Sequence, residues 1–373
     1  MKRPPRIMFS AGEPSGDLHA AGVLGELRAL LPGLGARGLG GDRLAAAGAE
    51  LDLEYGELAL IGLGGLLGKL RRIRQTQRML ERAFADVDAL ICVDYGGFNK
   101  GLARRAARRG LPVIYYICPK VWVWGAWRAA GLARSCELML PILPFEEPLW
   151  RQQGVPTLYV GNPVLDYLPA PREPGDPERV AVLPGSREGE LRRLLPVFEA
   201  AARLLRARRP GLRFVIPSAT AAIRELTARW LAELDIEILE HVDGDLHGTI
   251  QNCGLALTAS GTVGLEVACL GVPQLICYRV DPLTELLART VIRTRWVGLP
   301  NLVAGRTIVP ELLQDDLTPR SLAARTLELL ENPELRLEQR NAGLEARRLL
   351  GGGGAGKRAA AAIAGLLDKR LGG

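Results

Sequence analysis

Asp94 stands at the end of the apolar run Ala89–Val93 and opens the loop YGGFNK, so a strand would deliver a carboxylate beside two glycines that let a substrate approach the backbone. That arrangement suits a general base. A turn aspartate bonded to its own loop would look the same. Residues 253–278, CGLALTASGTVGLEVACLGVPQLICY, read as strand, small-residue turn, helix and strand. Ser260, Gly261 and Thr262 would leave backbone N–H groups and a helix dipole facing a diphosphate. Glu266, early in that helix, could accept hydrogen bonds from ribose hydroxyls. A second turn, PGSREGE, offers Gly185, Ser186 and Arg187, and the arginine could neutralise a diphosphate through both arms of its guanidinium.

Two further clusters could hold a second substrate. The loop AGEPSGDLHAAG presents Glu13, Ser15, Asp17 and His19 before a helix expected near Ala20, although Ser15 or Asp17 could simply cap that helix. Lys120 and Arg128 flank Trp122, Trp124 and Trp127, where aromatic planes beside cations could grip a sugar and its phosphate, or could be core. His241, Asp243, Asp245 and His247 alternate around a glycine, and a loop is the preferred reading of them over a metal site. No metal and no cofactor are expected. GxSxG and P-loop motifs are absent, which disfavours acyl hydrolysis and ATP hydrolysis.

The elements that must position these residues form two βα series. Strands are expected at 6–10, 89–93, 113–118, 138–143 and 157–160, completing a first sheet. A proline-rich stretch, 166–178, reads as a linker. The second series has strands at 180–183, 212–216, 236–239, 254–258 and 274–278. The expectation is an α/β protein with an acceptor and membrane-facing domain over 1–165, a nucleotide-sugar domain over 179–354, and a closing helix over 355–373 packing back on the first domain.

With 373 residues, 48% of them hydrophobic, the chain can bury two cores and is no disordered protein. Its six cysteines lack paired spacing and read as buried thiols of a reducing compartment. No apolar run reaches spanning length and no signal peptide is evident, so the expected place is the cytoplasm or the inner face of the cytoplasmic membrane. The net charge of +7 is uneven: eight cations and no acid lie between Lys100 and Arg134, and five cations and no acid between Lys69 and Arg78. These suit an anionic partner. Nucleic acid is disfavoured because the aromatics are not interleaved with the cations. In 58–80, Leu63, Leu66, Leu67, Leu70 and Ile73 share one helical face opposite Arg71, Arg72 and Arg74, as in a segment lying on anionic lipid or a helix packed on its own domain.

The chain resembles lipid-A-disaccharide synthase. The resemblance runs through AGEPSGDLHAAG (11–22), ALIGLGGLL (59–67), VDYGGFN (93–99), CPKVWVW (118–124), LPFE (143–146), VGNPVLD (160–166), LPGSRE (183–188), SGTVGLE (260–266) and LPNLVAGRTIVPELLQ (299–314). It implies a GT-B fold, two Rossmann-like domains facing across a cleft. The implied enzyme is an inverting hexosyltransferase of lipopolysaccharide synthesis for the Gram-negative outer membrane. It would join UDP-2,3-diacylglucosamine to 2,3-diacylglucosamine 1-phosphate through a β-1,6 bond, releasing UDP. It further implies Asp94 as catalytic base and Arg187, Ser260, Gly261, Thr262, Glu266 and Asn301 as UDP-binding positions. Glu13, Ser15, Asp17, Lys120, Trp122, Trp124 and Arg128 are then candidates for the acceptor. Two departures stand out: the family usually has a second aspartate where Gly97 stands and often an arginine where Gly125 stands. Another UDP-sugar transferase or epimerase of this fold, or a non-catalytic lipid- or nucleotide-sugar-binding homologue, remains open, as does a homo-oligomer.

Overall fold

The computed structural model describes residues 3–59, 66–124, 127–218, 220–242, 244–281, 285 and 294–372; side chains of 58–70 and 123–128 lie outside that description. The chain forms two units, Met1–Asp166 with Gly352–Gly373, and Tyr167–Gly351.

Among the described residues each unit carries one six-stranded parallel sheet. The first comprises β1 (Arg6–Ala11), β2 (Gly35–Gly40), β3 (Glu50–Glu54), β4 (Ala89–Val93), β5 (Val113–Tyr116) and β6 (Leu138–Leu140), in the order β3-β2-β1-β4-β5-β6. The second comprises β7 (Asp176–Leu183), β8 (Arg213–Pro217), β9 (Leu239–Val242), β10 (Cys253–Ala259), β11 (Gln274–Tyr278) and β12 (Glu311–Leu313), in the order β12-β11-β10-β7-β8-β9. Counted within its own unit, each order is that of a Rossmann sheet. The winding reverses between β1 and β4 in one unit and between β7 and β10 in the other. Loops leaving the carboxyl ends of those strands diverge, and the crevice they leave is where open α/β sheets take ligand.

Both faces of each sheet are covered, so β4 and β10 are buried along their whole length. On one face of the first sheet, Met8, Leu90 and Cys92 join Phe98, Tyr115 and Trp150. On the other, Ile7, Phe9, Ile91 and Val93 meet Val23 and Leu24 of the helix Pro14–Leu30. The helix Ala355–Gly372 packs on Pro14–Leu30 and adds Ala359, Ala360, Ile363 and Leu367 to that layer. Each such fully buried leucine or isoleucine contributes about 1.5–3 kcal/mol. All six cysteines are free and buried. Burial raises their thiols, Cys253 to about 11 and Cys136 and Cys269 to about 12.

The structure corrects several expected elements. The first helix begins at Pro14, not near Ala20, because proline at the first helical position brings its φ ready set and needs no N–H partner. Thr157 makes only an isolated bridge to Met139, so 157–160 is not a strand. Strands β2, β3 and β12 were not expected. Residues 167–172 run along the second unit, where Gln251 donates to the carbonyl of Ala170 (2.7 Å) and Arg347 to that of Pro169 (3.2 Å). Leu66–Glu81 is helical and packs on Gly96–Arg108, with Leu80 and Gln77 buried and Arg71, Arg72, Arg74 and Arg78 exposed. Residues 60–65 lie outside the described residues. Among the described residues no helix is long and apolar enough to cross a membrane.

Candidate functional site

In the first unit, the carboxyl edge of the sheet is wound tightly. Asp94 (φ 47°), Tyr95 (φ 49°) and Ile117 (φ 57°) all take left-handed backbone conformations that side-chain-bearing residues avoid, at about 1–3 kcal/mol each. A buried clamp holds the winding. Asn99, fully buried, donates its amide to the carbonyls of Ser10 (3.0 Å) and Asp94 (2.9 Å), and its Oδ1 accepts from the Ser10 hydroxyl (2.6 Å). The Tyr115 hydroxyl donates to the same Asp94 carbonyl (2.8 Å). The clamp therefore ties β1, β4 and β5 at the switch point. Gly12 is required here, since a Cβ on it would overlap the Tyr95 ring.

The Asp94 carboxyl is pushed above its ordinary value, first by burial and then by the charge of Glu13; Lys120 and the Tyr95 N–H oppose the shift. The site thus brings together Asp94, Glu13 and Lys120 from three loops. A carboxylate so raised holds a proton better than an ordinary aspartate, which is what a general base needs.

Lys120 leads into the short helix Val121–Trp124. The Trp122 indole N–H donates to Glu146 Oε1 (2.9 Å), its ring meets Phe145 edge-on at 5.3 Å, and the Leu143 N–H donates to Glu146 Oε2 (3.3 Å). Glu146 is 1% exposed, and burial raises its carboxyl to about 7 against the pull of Trp122, Leu143 and Lys120. Sequence reasoning did not single out Glu146, although the LPFE segment contains it. The signal was an acid amid apolar residues, and an acid in that setting must find donors.

Of the acceptor candidates, Asp17 lies in the first turn of the helix Pro14–Leu30. It is 2% exposed, and its oxygens accept the N–H groups of Gly41 (2.7 Å), Arg43 (3.1 Å) and Leu44 (3.2 Å). It caps the next helix and joins the loop after β2 to the first helix. Glu13 and Ser15 are exposed at the start of that helix. His19, half-buried, is held down to about 4 by burial, against the raising effect of Asp166. Trp124, Trp127, Arg128 and Gly125 lie outside the described side chains.

In the second unit, the loop after β7 is organised by Glu190. Its Oε2 accepts the N–H groups of Ser186 (3.0 Å) and Arg187 (3.3 Å), and it crowds Gly185, whose φ of 104° excludes most other residues. The expected phosphate-type turn is therefore already occupied by a carboxylate. What it offers an anion is the Arg187 side chain, 79% exposed.

The loop after β10 is different. Gly261 precedes the helix Thr262–Cys269 with no side-chain cap, Gly261 and Thr262 are exposed, and no atom lies within 4 Å of where a Gly261 Cβ would stand. Ser260 Oγ donates to the Val297 carbonyl (3.3 Å). Glu266 accepts from the Tyr167 hydroxyl (2.9 Å) and lies 3.1 Å from His247 Nε2. The switch-point loops of the second unit thus combine an uncapped helix end, an exposed arginine and a held carboxylate.

Asn301 lies in the helix Leu299–Ala304. It is fully buried: its Oδ1 accepts the N–H groups of Ile308 (2.7 Å) and Val309 (2.9 Å), and its amide donates to the Val309 carbonyl (2.8 Å) and to Glu311 Oε1 (2.7 Å). Glu311 in turn accepts the N–H groups of Val297 (2.9 Å) and Gly298 (3.0 Å). Asn301 therefore shapes the loop that touches Ser260 and has no polar atom left without a protein partner. Among the described residues, no group of three histidine, cysteine, aspartate or glutamate side chains is placed to hold a metal; Asp243 lies outside them.

Comparison with known proteins follows the same lines. A family profile described as Lipid-A-disaccharide synthetase matches residues 7–363. The chain is 40% identical to lipid-A-disaccharide synthase of Myxococcus xanthus, over 98% of this chain and 99% of that protein. It is 38% identical to that of Geobacter metallireducens, over 98% of both. Among solved structures it is similar in fold to UDP-GlcNAc 2-epimerase from Neisseria meningitidis (TM-score 0.59, 12% identity, 98% and 99% covered) and to Acinetobacter baumannii MurG (TM-score 0.57, 16% identity, 98% and 100% covered). The likeness sets the two Rossmann-like units within the GT-B fold class of glycosyltransferases and epimerases. With the profile spanning nearly its whole length, this chain belongs to the lipid-A-disaccharide synthase family.

Proposed function

We propose that the enzyme transfers 2,3-diacylglucosamine from its UDP donor to the 6-hydroxyl of 2,3-diacylglucosamine 1-phosphate. Asp94 takes the proton of the hydroxyl as oxygen attacks the anomeric carbon. The bond to UDP breaks on the opposite face, so the new β-1,6 linkage forms with inversion. Negative charge builds on the departing diphosphate, and Arg187 and the open helix end at Gly261–Thr262 supply fixed positive potential to meet it. Glu266 accepts the ribose hydroxyls, and Lys120 faces the acceptor phosphate. Ser260 and Asn301 serve by shaping the nucleotide loop.

The observation that carries this reading is Asp94 itself: in a chain of this family, it is held in a strained conformation at the switch point, with its proton affinity raised by burial and Glu13. Asp94→Asn, assayed by mass spectrometry of the disaccharide, should lower transfer at least about a hundredfold with UDP binding unchanged. Full activity in that variant would remove Asp94 from the role. Both substrates carry acyl chains, and the exposed Arg71, Arg72, Arg74 and Arg78 support docking on the anionic inner face of the cytoplasmic membrane. Arg71→Glu with Arg72→Glu should reduce sedimentation with anionic vesicles; unaltered sedimentation would count against it.

A further inference from the structure

Glu266 is 8% exposed, one turn into the helix that leaves β10, and both of its oxygens are engaged. The Tyr167 hydroxyl donates to Oε1 at 2.9 Å, and His247 Nε2 lies 3.1 Å from Oε2. An ionised carboxylate only accepts, so this second bond requires the proton on Nε2. The two rings holding the carboxylate also stack on each other, centroids 5.9 Å apart and planes 29° from parallel.

The two rings reach Glu266 from separate stretches of chain, and each is anchored. Tyr167 closes the short helix Val164–Tyr167, and the residues after it are fastened through the carbonyls of Pro169 and Ala170. His247 lies in Leu246–Gln251, where the Asp245 cap accepts its backbone N–H at 3.1 Å. A glutamate side chain on a helix turns freely about its last bond. Two donors on opposite oxygens fix that plane. A carboxylate can accept about four hydrogen bonds, so each oxygen keeps a free lone pair after its protein partner is counted.

We propose that Tyr167 and His247 are positioning residues that orient Glu266 to accept both hydroxyls of the donor ribose, so that this three-residue cradle sets the preference for a ribonucleotide over a deoxyribonucleotide. This rests on the reading of Glu266 given above. The cradle acts on one part of the ligand only: a nucleotide lacking the 2′-hydroxyl keeps one of the two bonds to Glu266, through its 3′-hydroxyl, so it gains less from an oriented carboxylate and loses less when the orientation is relaxed.

The test is calorimetric titration of the full chain with UDP and with 2′-deoxy-UDP. The parent enzyme should prefer UDP by about tenfold or more. Tyr167→Phe and His247→Ala should each cut that preference by about threefold or more, by weakening UDP more than 2′-deoxy-UDP, which keeps only its 3′-hydroxyl contact. His247→Gln, which keeps an N–H donor, should restore part of it. If either variant weakens both nucleotides equally and keeps the parent ratio, the residues are merely structural and the proposal is overturned. If Glu266→Gln abolishes the preference while Tyr167→Phe and His247→Ala retain it in full, the role of Glu266 stands and the cradle falls. A parent enzyme that binds both nucleotides alike would remove the role of Glu266 and the cradle with it.

Discussion

The side-chain amide of Asn99 donates to the main-chain carbonyl of Asp94 at 2.9 Å, so the residue that would take the proton is held through its backbone and not through its carboxyl group. The clamp also reaches Ser10 on the neighbouring strand, which makes the geometry of the loop carrying Asp94 a property of β1, β4, β5 and one buried amide. Asn99→Ala takes a donor from the carbonyls of Ser10 and Asp94, the latter keeping the Tyr115 hydroxyl, and removes the acceptor of the buried Ser10 hydroxyl; it should cost about 2–4 kcal/mol in urea unfolding. Transfer should fall more than UDP affinity does. A variant as stable and as active as the parent would show that the clamp does not hold Asp94.

The acid limb of transfer should lie above the range of an ordinary aspartate, because burial and Glu13 raise the Asp94 carboxyl and the base works only when deprotonated. Glu13→Gln removes a repelling charge and should move that limb to lower pH. Lys120→Met removes an attracting one and should move it to higher pH. Shifts in the same direction, read from kcat/KM against pH, would dissociate the limb from Asp94.

Glu146 should make the fold less stable in alkali than in mild acid. Its folded carboxyl, about 7, lies above the reference value of 4.5, so stability is fully present below about 4.5 and is lost as pH rises through about 7. The loss is on the order of 3 kcal/mol. Urea midpoints at about pH 5 and about pH 8 should differ in the parent and converge in Glu146→Gln. The same difference in both proteins would assign it to another group.

Gly97 has room for the side chain it lacks. No heavy atom lies within 4 Å of a Cβ built there, and the position falls in the first turn of Gly96–Arg108, where the helix end favours an acid. Gly97→Asp should leave stability unchanged or raise it by up to about 1 kcal/mol. Its charge should push the acid limb of transfer further up. A large loss of stability in thermal unfolding would show that the space is not free.

Buried strands with apolar runs were legible in the sequence. ALICV and QLICY become β4 and β11 with the expected bounds, because a parallel strand covered on both faces has no reason to alternate. GARGLG does not read as a strand, yet it forms β2: its neighbours on both sides supply the ladder that its glycines cannot favour by themselves. Polar residues near the site were legible as a set but not by task. Asp17 and Asn301 have the composition of ligand-binding residues, and only the fold reveals that backbone N–H groups already claim them. Glu146 and Tyr167 escaped notice, and His247 read only as part of a loop, because their partners are remote in sequence: Tyr167 and Glu266 are 99 residues apart.

The occupation of the 184–187 turn by Glu190 has one more result. Because that carboxylate already holds the backbone amides, an incoming anion meets a guanidinium that is 79% exposed, 3.7 Å from Glu190 Oε1 and largely in water, and such an attraction is long-ranged but readily screened. Nucleotide capture at this turn should therefore weaken as ionic strength rises, while contacts at the uncapped helix end after β10, made at short range by the main chain, should be far less sensitive to added salt.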